Sequence, residues 1–131
     1  MGSRTTARRL AMQAVFQSEV SKEDIKRSLV NLFDEEKLTQ EAKEFADRLA
    51  NGIDSHRSEI DATIQKLSKN WSFDRISLVE KSILRLAIYE MTHEKDTPKA
   101  VVINEAIELA KRYSSEESAA FIHGILGSAV V

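Results

Sequence analysis

Apolar residues recur with a helical period along almost the whole chain, most densely from Ile76 to Met91. In that stretch Val79, Ile83, Leu84, Leu86, Ala87, Ile88 and Met91 cover roughly half the circumference of a helix at about 100° per residue. A stripe that wide predicts a helix with packing neighbours on several sides. Ser77 and Glu80 stand three apart at its start, the spacing of a capping box that satisfies orphan backbone donors reciprocally. Glu80 and Glu90 fall inside the apolar arc, where a carboxylate needs a partner because burying an unpaired charge is costly. Glu80 is read as a cap or a contact, and Glu90 as structural.

The same period predicts six further helices. Residues 4–18 carry a stripe of Ala7, Leu10, Ala11, Ala14, Val15 and Ser18, small enough for close packing, with Arg9, Met12 and Phe16 opposite and Arg4 and Arg8 on the flank. A Phe on the open side of an amphipathic helix, beside a Met and arginines, points to a binding surface. Ser21 and Asp24 are expected to cap a second helix with Ile25, Leu29, Leu32 and Phe33, and the acidic tract Asp34-Glu35-Glu36 to lead into a turn. Thr39 caps a third, with Ala42, Phe45, Ala46, Leu49 and Ile53 on one face, and Gly52 marks a break or kink before a fourth carrying His56, Ile60, Ile64 and Leu67. Ser68 to Ser72 read as a connector whose Trp71 plugs the core. Pro98 ends the region after the Ile76–Met91 helix, since proline restrains its predecessor and cannot sit within a helix. A sixth helix runs from about Val101 to Tyr113, and Ser114 with Glu117 repeats the capping-box spacing ahead of a seventh with Phe121, Ile122, Ile125, Leu126 and Ala129. No segment alternates with period two for the length of a strand. The fold class is all-α.

Composition narrows the function. A chain of 131 residues is one domain by length, 42% hydrophobic and 31% charged with a single proline. The absence of Cys removes disulfides, thiol catalysis and cysteine-liganded zinc. No apolar run approaches the ~20 residues of a membrane span, and no signal peptide opens the chain. A net charge of −2 speaks against indiscriminate polyanion binding while leaving room for a local basic patch. The sequence holds no Gly-rich phosphate loop, no His-Glu-x-x-His and no calcium loop. His56 with Glu59 and His93 with Asp96 are single pairs, short of the three or four ligands of a zinc site, and are read as solvated pairs. Neither an enzyme, a cofactor nor a metal is expected.

Three segments together resemble the NusB family of transcription antitermination factors. They are Ala7-Arg8-Arg9-Leu10-Ala11-Met12-Gln13-Ala14-Val15-Phe16, then Val79 to Glu90, and finally Pro98 to Gly124 with Val102-Ile103-Asn104-Glu105-Ala106-Ile107-Glu108-Leu109-Ala110-Lys111 and Phe121-Ile122-His123-Gly124. The likeness spans the chain in order, although residues 20–70 match in pattern alone. It implies one domain over 1–131, made of an amino-terminal sub-bundle of about 4–70 and a carboxy-terminal one of about 71–131. It also implies a cytoplasmic, non-catalytic protein that binds the boxA element of ribosomal leader RNA together with the ribosomal protein NusE. The pair then joins an antitermination complex on RNA polymerase.

On that resemblance Arg4, Arg8 and Arg9 contact RNA, neutralising phosphates and stacking on unpaired bases. Glu117 and Phe121 lie near the same RNA, while Met12, Phe16 and Glu80 face the protein partner. The chain departs from the family at Ser114-Ser115-Glu116-Glu117, where members carry Gly-Ala-Glu-Asp, at Ala120 in place of Lys, and at His123 in place of Asn. The missing Lys removes one cation from the expected RNA face. Three alternatives stay open: an adaptor without RNA affinity, the helical module of a ribosomal-RNA methyltransferase, and a homodimer that buries the Arg9–Met12–Phe16 face. A chain ending at Val131 with no Gly-rich cofactor loop counts against the second.

Overall fold

A computed structural model describes residues 2–34, 37–69 and 71–130, which form seven α-helices and one 3-10 turn with no strand among them. The turn expected at Glu35-Glu36, and Asn70 of the expected connector, lie outside the described residues. The chain divides into two compact units, one up to Ser55 and the other from His56. The sequence reading put its division near residue 70, after the fourth helix. The fourth helix belongs with the second unit because its apolar face, Ile60 and Ile64, is buried and the helix packs on two later ones.

The first unit holds α1 (Ser3–Ser21), α2 (Ile25–Phe33) and α3 (Gln40–Ser55), each packed on the other two. Ala7, Ala11 and Ala14 are fully buried, and their small side chains let the backbones approach closely. The α1 helix stops at Lys22, whose left-handed φ of 60° turns the chain out of the helix. Ser21 is not a cap for α2. Its hydroxyl donates to the Gln17 carbonyl within α1, and Asp24 alone accepts from the Lys26 amide at 3.2 Å. Thr39 accepts from the Ala42 amide at 3.1 Å, as its position foretold. Gly52 causes no break, for α3 continues through it to Ser55.

The second unit comprises α4 (Arg57–Leu67), a 3-10 turn (Phe73–Arg75), α5 (Leu78–His93), α6 (Lys99–Tyr113) and α7 (Glu116–Val130). The dense apolar stretch is α5, which packs on α4, α6 and α7 and is buried without interruption from Ser82 to Met91. Glu90 is 1% exposed within it. Its capping box is complete: the Glu80 amide donates to Ser77 Oγ at 3.1 Å, and the Ser77 amide donates to Glu80 Oε1 at 3.2 Å. Arg85, 4% exposed, is held by two parallel bonds to Asp61 of α4 at 2.8 and 3.1 Å. Pro98 directly precedes α6, where a residue lacking an N–H costs the helix nothing. Trp71 departs from expectation: at 57% exposed it plugs no core, because the chain runs at the surface between α4 and the 3-10 turn.

Candidate functional site

On the first unit, Arg4 and Arg8 lie one turn apart on α1 and both reach the ring of Phe45 on α3. The guanidinium carbons of Arg4, Arg48 and Arg8 stand 4.4, 5.1 and 5.5 Å from its centroid. Phe45 itself is buried, so its π-face backs a cluster of three cations. Arg4 and Arg8 were singled out from the sequence, and Arg48 joins them over the ring without having been singled out. The signal available was its position three residues after Phe45, one turn along the same helix.

One expectation on α1 needs correction, that for Met12. Arg8, expected on the flank of the helix, is 4% exposed with its guanidinium packed over the Phe45 ring, because position 8 lies on the side of α1 turned to α3. Met12, expected on the open side, is 3% exposed. The buried positions of α1 run from Leu10 through Ala7, Ala11 and Val15 to Arg8 and Met12, an arc of about 200° at 100° per residue. The stripe read from the sequence was narrower than the surface that is covered. What stays on the open side is half-buried Arg9, which donates to Gln13 Oε1 at 3.2 Å, with half-buried Phe16 next to it on the wheel.

On the second unit, Glu80, Glu117 and Phe121 line one groove with Trp71 and Ser118. Residues assigned from the sequence to two different partners thus share one surface. The Phe121 ring is half-buried and meets Trp71 edge-on at 5.5 Å, so two aromatic rings border the groove. Ser114 does not cap α7. It ends α6, and Ser115 Oγ accepts from the Ser118 amide at 3.0 Å in its place. That one-residue shift moves Glu117 out of the N3 position, and its exposed carboxylate lines the groove. Glu80 keeps its cap, and its second oxygen accepts from Ser118 Oγ at 2.6 Å. His123 is exposed.

A buried ring carrying three guanidiniums, and an open groove bordered by two aromatic rings and two carboxylates, mark an all-helical protein with charged and aromatic surfaces. The chain belongs to the NusB family, whose sequence model matches residues 5–130. It is 45% identical to the transcription antitermination protein NusB of Acetivibrio thermocellus over 127 residues, which cover 97% of this chain and 88% of that protein. It matches T. maritima NusB with a TM-score of 0.90 and 42% identity, covering 95% of this chain and 88% of that one. A crystal structure of the antitermination factors NusB and NusE in complex with dsRNA matches with a TM-score of 0.89 and 27% identity, over 96% of this chain and 94% of that one.

Proposed function

We propose that the chain is a transcription antitermination factor, binding boxA-type leader RNA jointly with the ribosomal protein NusE and joining the antitermination complex on RNA polymerase. The observation that carries the RNA part is the convergence of Arg4, Arg8 and Arg48 on Phe45. Three cations gathered at one ring make a local positive field on a chain whose net charge is −2, and a phosphodiester backbone answers that field. Arg9 at the edge of the same helix extends it. Phe121 and Trp71 offer faces on which unpaired bases stack, the means by which single-stranded RNA is read. Phe16 supplies an aromatic anchor for the protein partner. Glu80 offers negative charge to a basic side chain of the protein partner, and Glu117 lies with Phe121 beside the RNA.

The role requires no catalysis and no cofactor. It is exercised in the cytoplasm, and among the described residues no helix is long and apolar enough to cross a membrane. The deciding experiment measures binding of a boxA-like single strand with and without NusE across a salt series. Cooperative, sequence-dependent binding strengthened by NusE is expected. Binding of NusE with no contribution from RNA would leave a protein adaptor in place of this reading.

A further inference from the structure

His56 and His93 are far apart in sequence, yet the fold brings their rings to 4.3 Å between centroids. His56 immediately precedes α4, Glu59 sits in the first turn of that helix, and His93 is the last residue of α5. One ligand atom from each of the three lies within 4.8 Å of the others. The sequence treats these as separate solvated pairs, because the closeness of the two histidines arises from the packing of α4 on α5 and leaves no trace in spacing.

We propose that His56, Glu59 and His93 form a Zn²⁺ site that clamps the start of α4 to the end of α5. Two imidazoles and a carboxylate suit zinc and its late first-row neighbours, whereas Mg²⁺ and Ca²⁺ take oxygen ligands. Around a tetrahedral zinc with bonds of about 2.0–2.1 Å, ligand atoms stand roughly 3.4 Å apart. Closing from 4.8 Å to that separation needs at most about 1.4 Å of relative movement, which a rotamer change of the exposed Glu59 and small shifts of the rings supply. Water fills the fourth position, since the site opens to solvent.

The surroundings support the assignment. Tyr89 stacks on the His93 ring at 4.6 Å with an interplanar angle of 8°, and the Thr92 hydroxyl lies 2.8 Å from His93 Nδ1. Both restrict the ring's rotation, as outer-shell contacts do for metal-binding histidines. The carboxyl end of α5 carries partial negative charge that favours a cation. The amino end of α4 opposes one, and the Glu59 carboxylate offsets that opposition.

The test uses the full chain, free of any histidine tag, titrated with Zn²⁺ by calorimetry and with Co²⁺ by visible absorption. One metal per chain, a Co²⁺ spectrum of tetrahedral or five-coordinate type, and a Tm that rises with Zn²⁺ are expected. His93→Ala and Glu59→Gln alter exposed side chains, and each should weaken binding at least the ~10-fold that outer-shell losses already cost. His123→Ala should bind like the parent. Absence of stoichiometric binding, or parent-like affinity in His93→Ala, overturns the site and reduces the cluster to ring stacking.

Discussion

The hydroxyl of Ser118 donates to Oε2 of Glu80 across 2.6 Å, while Oε1 of the same carboxylate accepts from the Ser77 amide. One side chain thereby completes the cap of α5 and anchors the start of α7. Hydrogen bonds to charged groups contribute about 1.5–3 kcal/mol, less where water reaches the pair. Ser118 is buried and Glu80 half-buried, so Ser118→Ala should cost about 1 kcal/mol. Denaturant unfolding of Ser118→Ala, Glu80→Gln and the double variant should give a coupling of at least ~0.5 kcal/mol. Additive losses would mean that the contact adds nothing. Ser118→Ala also separates two roles, because it loosens the tie while keeping the Glu80 charge of the proposed NusE contact.

Arg4 and Arg48 are the accessible members of the cluster over Phe45, half-buried and exposed respectively, whereas Arg8 is enclosed. Arg4→Ala and Arg48→Ala should each weaken RNA binding and lower the slope of log K against log salt by about 0.7, the amount for one phosphate contact on a single strand. Their Tm should stay near that of the parent. Arg8→Ala should reduce both stability and RNA binding, since it removes packing from a buried ring. An unchanged salt slope in both accessible variants would exclude the cluster from RNA contact.

Arg85 and Asp61 form a pair of a different kind, with side chains 5% and 20% exposed and two bonds between them. Removing one partner of a buried pair leaves a charge stranded and costs about 3–5 kcal/mol, while replacing both with apolar residues is often neutral. Asp61→Ala should therefore destabilise strongly, by about 3 kcal/mol given its residual exposure. Asp61→Leu with Arg85→Met should recover most of that loss. Thermal unfolding followed by circular dichroism distinguishes the cases. A double variant no more stable than Asp61→Ala would show that the pair is needed for its specific geometry.

These pairs also show what the sequence could and could not convey. Local devices were legible: the capping box at Ser77 and Glu80, the Thr39 cap and the buried run of α5 all depend on residues within a few positions of one another. Caps misplaced by one residue, such as Ser114 for Ser115, reflect neighbouring serines that offer the same chemistry. Contacts between elements were not legible. Nothing in the spacing joins Asp61 to Arg85 or Phe45 to Arg4, and Met12 appeared open because periodicity marks an apolar centre without showing how far coverage extends. Trp71 was read as a core plug, although large aromatics also sit at binding surfaces, and it is exposed.

Phe16 remains on the open side of α1 and is half-buried, unlike Met12. Phe16→Ala should cost about 2 kcal/mol in NusE affinity, the scale of an aromatic anchor, with little change in RNA binding by the chain alone. Met12→Ala should behave oppositely, losing about 2 kcal/mol or more of stability as a buried side chain does. Calorimetric titration with NusE, beside thermal melts, reads both. A Phe16 variant that binds NusE like the parent would move the partner surface off α1.

Trp71 is the sole tryptophan, 57% exposed and edge-on to Phe121 at 5.5 Å, so its fluorescence reports directly on the groove. A base stacking there should quench the emission, because stacking brings the indole into contact with the base. Trp71→Phe should retain RNA binding while losing the signal. Phe121→Ala should weaken binding by about 1–3 kcal/mol, the range for loss of one base–aromatic contact. Quenching by RNA with parent-like affinity in Phe121→Ala would place the base against Trp71 alone. Emission unchanged at saturating RNA would remove the groove from the RNA path and leave it, through Glu80 and Glu117, to the protein partner.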